Sequence, residues 1–210
     1  ISIICILNTL TVFADYSESC ADFLGRYYDV FDYGFDDGAD ALSCGTVRTD
    51  IAGSPVLELN GGAELLSGSG GFAGKTYFSF ELMADSIRSF EFIINSAETF
   101  DMQIAPSDSE SMSCSINSEK ICSLLIGHWT KFEFFINTFS EKAGVLVTSP
   151  TGERTEREFD IKDADILSAL NISADGDVYM DNIKMSRGIK SFDGKILITG
   201  GGTYVSAFCE

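Results

Sequence analysis

Few side chains in this sequence have the types and spacing that catalysis requires. His128 is the single histidine, so any serine- or cysteine-based triad would have to use it, and no Gly-x-Ser-x-Gly motif is present. Glu156 and Glu158 would share one face of a strand and could form the carboxylate pair of a glycoside hydrolase. They follow Glu153 and Arg154 in a charged hairpin, which is typical of a solvated edge strand. We therefore expect an ordinary exposed histidine and no catalytic carboxylate pair.

Three aromatic side chains are better placed to bind a ligand than to react with one. Trp129 has the same parity as Lys131 in an alternating segment and therefore points away from the apolar face. Tyr77 and Phe135 also point outward by parity. Outward aromatic rings on a sheet can stack on sugar rings. The alternatives are that Trp129 caps the edge of the domain and that the other two rings lie under a loop.

The elements that carry these residues are short β-strands. Apolar and polar residues alternate in Thr76–Met83, Ser89–Asn95 and Thr130–Asn137, which places phenylalanine rings on one face of each strand. Further strand candidates are Thr46–Ala52, Val56–Asn60, Thr99–Ala105, Ile121–Ile126, Ala143–Thr148, Arg154–Asp160, Val178–Met185 and Lys195–Thr199. A turn at Ser149–Gly152, with its proline and glycine, joins two of them in a hairpin. About ten strands without interleaved helices predict an all-β, two-sheet antiparallel β-sandwich.

One or two short helices are expected beside the sheets. Cys20 begins a helix-like spacing of apolar residues that follows Ser17, a suitable N-cap. Asp163–Asn171 places Ile166, Leu167 and Leu170 on one stripe and predicts a second helix.

The chain divides into four predicted segments. Residues 1–14 form an apolar run too short to span a bilayer, and its small residues Val12 and Ala14 are typical of a signal-peptide cleavage site. We interpret this run as a signal-peptide remnant; the alternative is a buried first strand. Residues 15–26 would form a covering segment and 27–188 the β-sandwich domain. Residues 189–210 would be an edge strand or the start of a further module.

Charge and cysteine usage limit the partners. The net charge of −18 over 210 residues repels nucleic acid and anionic lipid, so neither nucleic-acid binding nor membrane insertion is expected. Of the six cysteines, Cys5 lies in the signal remnant and an odd number remains. Cys114 and Cys122 could close a small loop as a disulfide. The sequence contains no Cys-x-x-Cys pair of the kind that would indicate a metal site.

Three motifs in order resemble a known family of sandwich domains. Tyr33–Gly38 (Y-G-F-D-D-G) is similar to the F-E-D-G opening strand of jelly-roll carbohydrate-binding modules, and Val178–Met185 (V-Y-M-D-N-I-K-M) resembles their closing strand. Gly127–Phe132 (G-H-W-T-K-F) resembles the G-x-W strand of concanavalin-like domains. The likeness extends from Tyr27 to Gly188 and implies a jelly-roll architecture.

The resemblance also implies a structural calcium ion. In many such modules an acidic residue of the opening strand and an aspartate of the closing strand share the ion, which by position implicates Asp36, Asp37 and Asp181. The opening residue here is aspartate where the family more often has glutamate. A parity slip at Asp181 and Asn182 predicts a β-bulge, which could aim a side chain toward the ion. Calcium takes about six to eight oxygen ligands, so backbone carbonyls would have to complete the shell. The alternative is that these aspartates are solvated turn residues.

The function that the resemblance implies is binding. The expected protein is a secreted or cell-surface, non-catalytic module that binds carbohydrate or accompanies a carbohydrate-active protein. Its partners would be a glycan or other domains of the same polypeptide. One alternative is a structural or adhesive spacer domain of a larger surface protein, and a less favoured one is a glycoside hydrolase or lyase.

Overall fold

A computed structural model of the chain describes residues 20–25, 27–34, 45–49, 51, 55–59, 61–66, 71–96, 98–162 and 165–188. These residues form helix α1 (Cys20–Leu24) and twelve strands: β1 (Tyr27–Tyr33), β2 (Gly45–Arg48), β3 (Val56–Leu59), β4 (Gly61–Leu66), β5 (Lys75–Ile94), β6 (Phe100–Pro106), β7 (Ser111–Ile116), β8 (Glu119–Leu125), β9 (Thr130–Asn137), β10 (Lys142–Thr148), β11 (Arg154–Asp160) and β12 (Leu170–Gly188). The predicted signal remnant at 1–14 and the tail at 189–210 lie outside the described residues. Within the described ranges, no helix is long and apolar enough to cross a bilayer.

Two long antiparallel strands connect the layers of the fold. β5 and β12 pair along most of their lengths and form a two-stranded ribbon. One half of β5, residues 75–82, pairs with β9, whereas the other half, residues 90–94, pairs with β6. The first layer therefore runs β11-β10-β9-β5-β12 with β1 and β3 beyond, and the second runs β8-β7-β6-β5-β12-β4. The predicted two sheets are hydrogen-bonded into one continuous antiparallel sheet that folds over itself.

The ribbon changes register where it passes from one layer to the other. The pairing of β12 with β5 shifts between Asp175 and Gly176 and again between Asp177 and Val178. Gly176 has a φ of 122°, and a Cβ atom there would collide with the backbone of Ser86. Glycine is therefore required at this crossing, because other residues rarely adopt this conformation. Ser86 Oγ also donates a hydrogen bond of 2.9 Å to Asp177 Oδ2 across the ribbon.

The core between the layers is built from phenylalanine. Its fully buried rings come from both layers: Phe78, Phe80, Phe132 and Phe134 from the first, and Phe90, Phe92 and Phe100 from the second. The ring centroids of Phe92 and Phe134 are 4.7 Å apart, and those of Phe78 and Phe92 are 5.2 Å apart. These contacts join opposite layers, so they confirm the predicted β-sandwich and the inward direction of the alternating phenylalanines.

The two helix predictions have different outcomes. α1 at Cys20–Leu24 confirms the helix-like spacing in the N-terminal segment. The helix predicted over Asp163–Asn171 is wrong, because residues 165–169 are not helical and β12 begins at Leu170. Leu167 instead exchanges two backbone hydrogen bonds of 2.7 Å with Phe72. The side chain of Asn95 accepts a 2.7 Å hydrogen bond from the Ser168 amide, so partners distant in sequence satisfy this backbone.

Replacing a ring at the centre of the core tests the packing. We expect Phe92→Ala to lower the free energy of unfolding by about 3–5 kcal/mol, because the cavity between the layers cannot collapse fully. Phe139→Ala is the matched control, since that ring is 63% exposed, and it should cost only about 0.5 kcal/mol. Urea unfolding followed by circular dichroism measures both, and equal losses would contradict the proposed core.

Candidate functional site

The outer face of the first layer carries the predicted ligand-binding side chains. We use outer face for the side of β9, β5, β12 and their neighbours that points away from the phenylalanine core. The strand registers arrange its side chains in rows that run across the strands. One row contains Met83, Tyr179 and Glu58, and the next contains Lys131, Glu81 and Asp181. Residues of one row lie on adjacent strands about 4.8 Å apart, close enough to act on one ligand.

Trp129 lies beside Met83 and Tyr179, and we call these three residues the Trp129 row, or apolar row. It immediately precedes β9 and packs, half-buried, against a cluster formed by Val56, Met83 and Tyr179. Ile51 also packs against this cluster. Parity correctly predicts that Trp129 points away from the phenylalanine core, and the structure adds neighbours that sequence reasoning missed. Tyr179 and Met83 were missed because they come from strands far away in the chain, although their own parity could have identified them as outward.

Charged groups border this apolar row. Arg48 Nη1 lies 2.9 Å from Glu58 Oε2 in a partly buried ion pair. Burial raises the pKa of the Tyr179 hydroxyl, and the negative charges of Asp85 and Glu58 raise it further. The hydroxyl therefore remains a hydrogen-bond donor over the whole neutral range. A carboxylate, a guanidinium and a phenol thus surround the aromatic surface with both donors and acceptors.

The neighbouring row, which contains Lys131, Glu81 and Asp181, is charged and lies two residues further along each strand. Glu81 is the direct cross-strand partner of both Lys131 and Asp181. Lys131 Nζ lies 3.0 Å from a carboxylate oxygen of Glu133, and Asn182 Nδ2 donates a 3.2 Å hydrogen bond to Glu81 Oε2. The row therefore places one ammonium group beside two carboxylates, which offers both hydrogen-bond donors and acceptors to a ligand with many hydroxyl groups.

The far half of the outer face is covered by α1. Tyr77 and Phe135 point outward, as their parity predicts, yet they are only 5% and 2% exposed. Leu24 of α1 packs on them, and the ring of Phe23 meets that of Phe135 edge to face at 5.3 Å. The Tyr77 hydroxyl donates a 2.7 Å hydrogen bond to Glu133 Oε1. These two rings contact protein in this structure, so a role in sugar stacking stays a prediction that requires α1 to move.

The position of Asp181 bears on the calcium prediction. The register of β12 shifts between Asp181 and Lys184, and Asn182 has a φ of 50°, so the predicted β-bulge is present. Asp36 and Asp37 lie outside the described residues. Within the described part of the chain, no three acidic, cysteine or histidine side chains are grouped to hold a metal ion. Asp181 and Glu81 could supply only part of a calcium shell, so the site remains a prediction that depends on Asp36 and Asp37.

Of the candidate catalytic groups, His128 directly precedes Trp129, whereas Glu156 and Glu158 lie on a different strand, β11. His128 is exposed in the turn before β9. Glu156 and Glu158 belong to β11, which pairs only with β10 among the described strands and is therefore an edge strand, as the charge pattern predicts. Lys142 Nζ lies 3.4 Å from Glu158 Oε1. The sequence-based preference for a solvated edge strand is confirmed.

Comparison with known proteins supports the fold. No protein-family model matches the sequence, and no curated protein matches it. A solved β-glucanase catalytic domain (GH131) from Podospora anserina is similar to this chain with a TM-score of 0.50 and 10% identity, over 83% of this chain and 90% of that one. The CBM2 module of the evolved Dit protein of Lactobacillus casei BL23 phage J-1 also has a TM-score of 0.50, with 7% identity over 80% and 99% of the two chains. The predicted jelly-roll, concanavalin-like sandwich is therefore confirmed at the level of the fold.

Titration of Tyr179 tests the electrostatics of the apolar row. The pKa of Tyr179 in the folded state lies above the ordinary value of 10.0. The protonated hydroxyl therefore stabilises the folded state fully below pH 10.0, and this contribution is lost as the pH rises through the folded-state pKa. Tyr179→Phe should therefore lose less stability than the wild type between about pH 9 and pH 11. Urea unfolding at both pH values measures this, with Tyr27→Phe, at a side chain 41% exposed, as the control. Equal alkaline losses in all three proteins would contradict the assignment.

Proposed function

We propose that this chain is a secreted, non-catalytic carbohydrate-binding module whose ligand lies across the Trp129 row of the outer face. The observation that carries the proposal is the half-buried Trp129 ring, set beside Tyr179 and Met83 and bordered by a charged row. An aromatic surface next to a few fixed polar groups is the usual composition of a site for sugars, whose ring faces are apolar and whose edges carry hydroxyls.

The arrangement assigns a task to each row. The apolar row would contact the C–H face of a sugar ring and supply most of the affinity. Lys131, Glu81 and Asp181 would donate to and accept from its hydroxyl groups and so determine its orientation. Successive outward residues of one strand are about 6.6 Å apart and adjacent strands about 4.8 Å apart, so the two rows form a surface large enough for a short oligosaccharide.

The comparisons indicate which ligands to test first. One of the two sandwiches with a comparable fold is a β-glucanase domain, and the other is named as a carbohydrate-binding module. Soluble β-glucans are therefore the first probes. Secretion fits the same proposal, because the predicted signal remnant and the net charge of −18 suit a soluble extracellular protein. Other domains of the same polypeptide are the second class of partner that we propose.

A fluorescence titration tests the binding face directly. Trp129 is the only tryptophan, so its emission should shift when a β-glucan oligosaccharide covers the ring. Trp129→Ala should weaken binding by about tenfold or more, measured by affinity gel electrophoresis, because the stacking surface is lost. Phe139→Ala is the matched control, because it removes an exposed aromatic ring outside the Trp129 row and should leave binding unchanged.

Three outcomes would count against this proposal. Undiminished binding by Trp129→Ala would exclude the apolar row as the binding surface. Release of reducing ends from the glucan would contradict a non-catalytic role and would direct attention to the opposed carboxylates of Glu81 and Asp181. Failure to bind any glycan in a broad array would favour the alternative of a structural or adhesive spacer domain.

Calcium binding at Asp36, Asp37 and Asp181 is a separate proposal with its own test. A bound ion stabilises the folded state by RT ln(1 + [L]/Kd), which is about 2.7 kcal/mol at one hundred times Kd. We expect the melting temperature to fall when a chelator replaces millimolar calcium, and Asp181→Asn to remove most of that difference. Asp160→Asn, at an exposed edge position, is the control and should preserve it. An identical wild-type melting temperature with calcium and with chelator would refute the site.

A further inference from the structure

The open edge of the sandwich contains a cleft on the side opposite the β5–β12 ribbon. There β8, at the end of the second layer, approaches the β10–β11 hairpin of the first layer. The cleft has a volume of about 360 Å³ and is lined by Cys122, Leu125, Val147, Pro150 and Thr155, among others. Leu125 is 47% exposed at its rim. A small molecule entering from solvent therefore meets a wall that includes a cysteine.

A second cysteine lies directly behind that wall. Cys114 of β7 is the cross-strand partner of Cys122 of β8, and both are free thiols in this structure. Cys114 is fully buried, whereas Cys122 is half-buried at the cleft. Directly opposed residues of an antiparallel pair have Cα atoms about 4.5–5.5 Å apart, within the range of about 4.4–6.8 Å that a disulfide spans. The two sulfurs can therefore be joined without moving the strands apart.

The environment makes the two thiols unequal. The interaction with the Cys114 thiol lowers the pKa of Cys122, and the nearby charge of Lys120 lowers it further, whereas partial burial opposes both effects without reversing them. The same interaction raises the pKa of Cys114, and burial adds to that effect. A thiolate is the reactive form of cysteine, so the accessible member of the pair is also the more nucleophilic one.

We propose that Cys122 and Cys114 form a thiol–disulfide exchange site for small-molecule disulfides that enter this cleft. The Cys122 thiolate attacks one sulfur of the incoming disulfide, forms a mixed disulfide with it and releases the other half as a thiolate. Cys114 then loses its proton and attacks the Cys122 sulfur, so the second half leaves as a thiolate. The protein loses two electrons and two protons, the small disulfide becomes two thiols, and a Cys114–Cys122 bond remains.

The consequence is a covalent link between β7 and the edge strand β8. That link fixes one wall of the open-edge cleft and reverses when a dithiol reductant is added. The site is independent of carbohydrate binding, since the outer face lies on the other side of the first layer. Cys20 provides an internal contrast: burial raises the pKa of its thiol, and it has no opposed cysteine among the described strands and helix.

Peptide mapping of the wild-type 210-residue chain tests the proposal. The reduced protein is incubated with oxidised glutathione, the remaining thiols are alkylated, and trypsin then cleaves after Lys120, which separates Cys114 from Cys122. We expect the peptides 89–120 and 121–131 to be recovered as a linked pair that is lost on reduction. In a timed alkylation of the reduced protein, Cys122 should react about tenfold faster than Cys20 or Cys114.

Variants distinguish the two chemical steps. Cys114→Ala should trap the mixed disulfide with glutathione on Cys122, whereas Cys122→Ala should leave Cys114 unmodified. Circular dichroism confirms that each variant is folded, and the wild-type mapping requires no variant. Recovery of separate peptides 89–120 and 121–131 from folded wild type would overturn the proposal. Alkylation of Cys122 no faster than that of Cys20 would do the same.

Discussion

The contact between the phenylalanine rings of the two layers is the interaction on which the rest of the structure depends. Phe92 of the second layer packs on Phe78 and Phe134 of the first, and all three rings are fully buried. Each such ring removes apolar surface worth roughly 1.5–3 kcal/mol from water. Because Phe78 and Phe92 belong to the same strand, β5 can make this contact only if it turns from one layer into the other.

The turn of the ribbon explains why the outer face is well defined. Side chains alternate along a strand, so every core ring on β5 and β9 has neighbours that point to the opposite side. Phe80 and Phe132 hold those strands in register from the inside, and Glu81 and Lys131 are consequently opposed on the outside. A slip of one residue would expose the rings and bury the charges, so core packing and site geometry are specified together.

The parts of the sandwich surface differ in how far other elements cover them. α1 covers the half of the outer face that carries Tyr77 and Phe135, whereas Trp129 remains half-buried at the other half. At the open edge, β8 and β11 are the last strands of their layers, and a cleft lies between them with Cys122 in its wall. The half-buried Trp129 and the cleft that Cys122 lines are thereby separated on one small domain.

Local patterns in the sequence were sufficient to predict most of the strands, the inward phenylalanines, the outward direction of Trp129, the bulge at Asp181 and the Pro-Gly hairpin, because each depends on residues a few positions apart. Strands β1, β4 and β7 were not predicted. Tertiary structure alone decided the rest. It placed Tyr179 beside Trp129, put α1 over Tyr77 and Phe135, and opposed Cys114 to Cys122 in register. It also left residues 165–169 of the predicted helix non-helical, because Phe72 and Asn95 satisfy the backbone of Leu167 and Ser168 from distant positions. Which side chains are covered and which are brought side by side depends on how segments distant in sequence meet. The periodicity within a single strand does not encode those contacts.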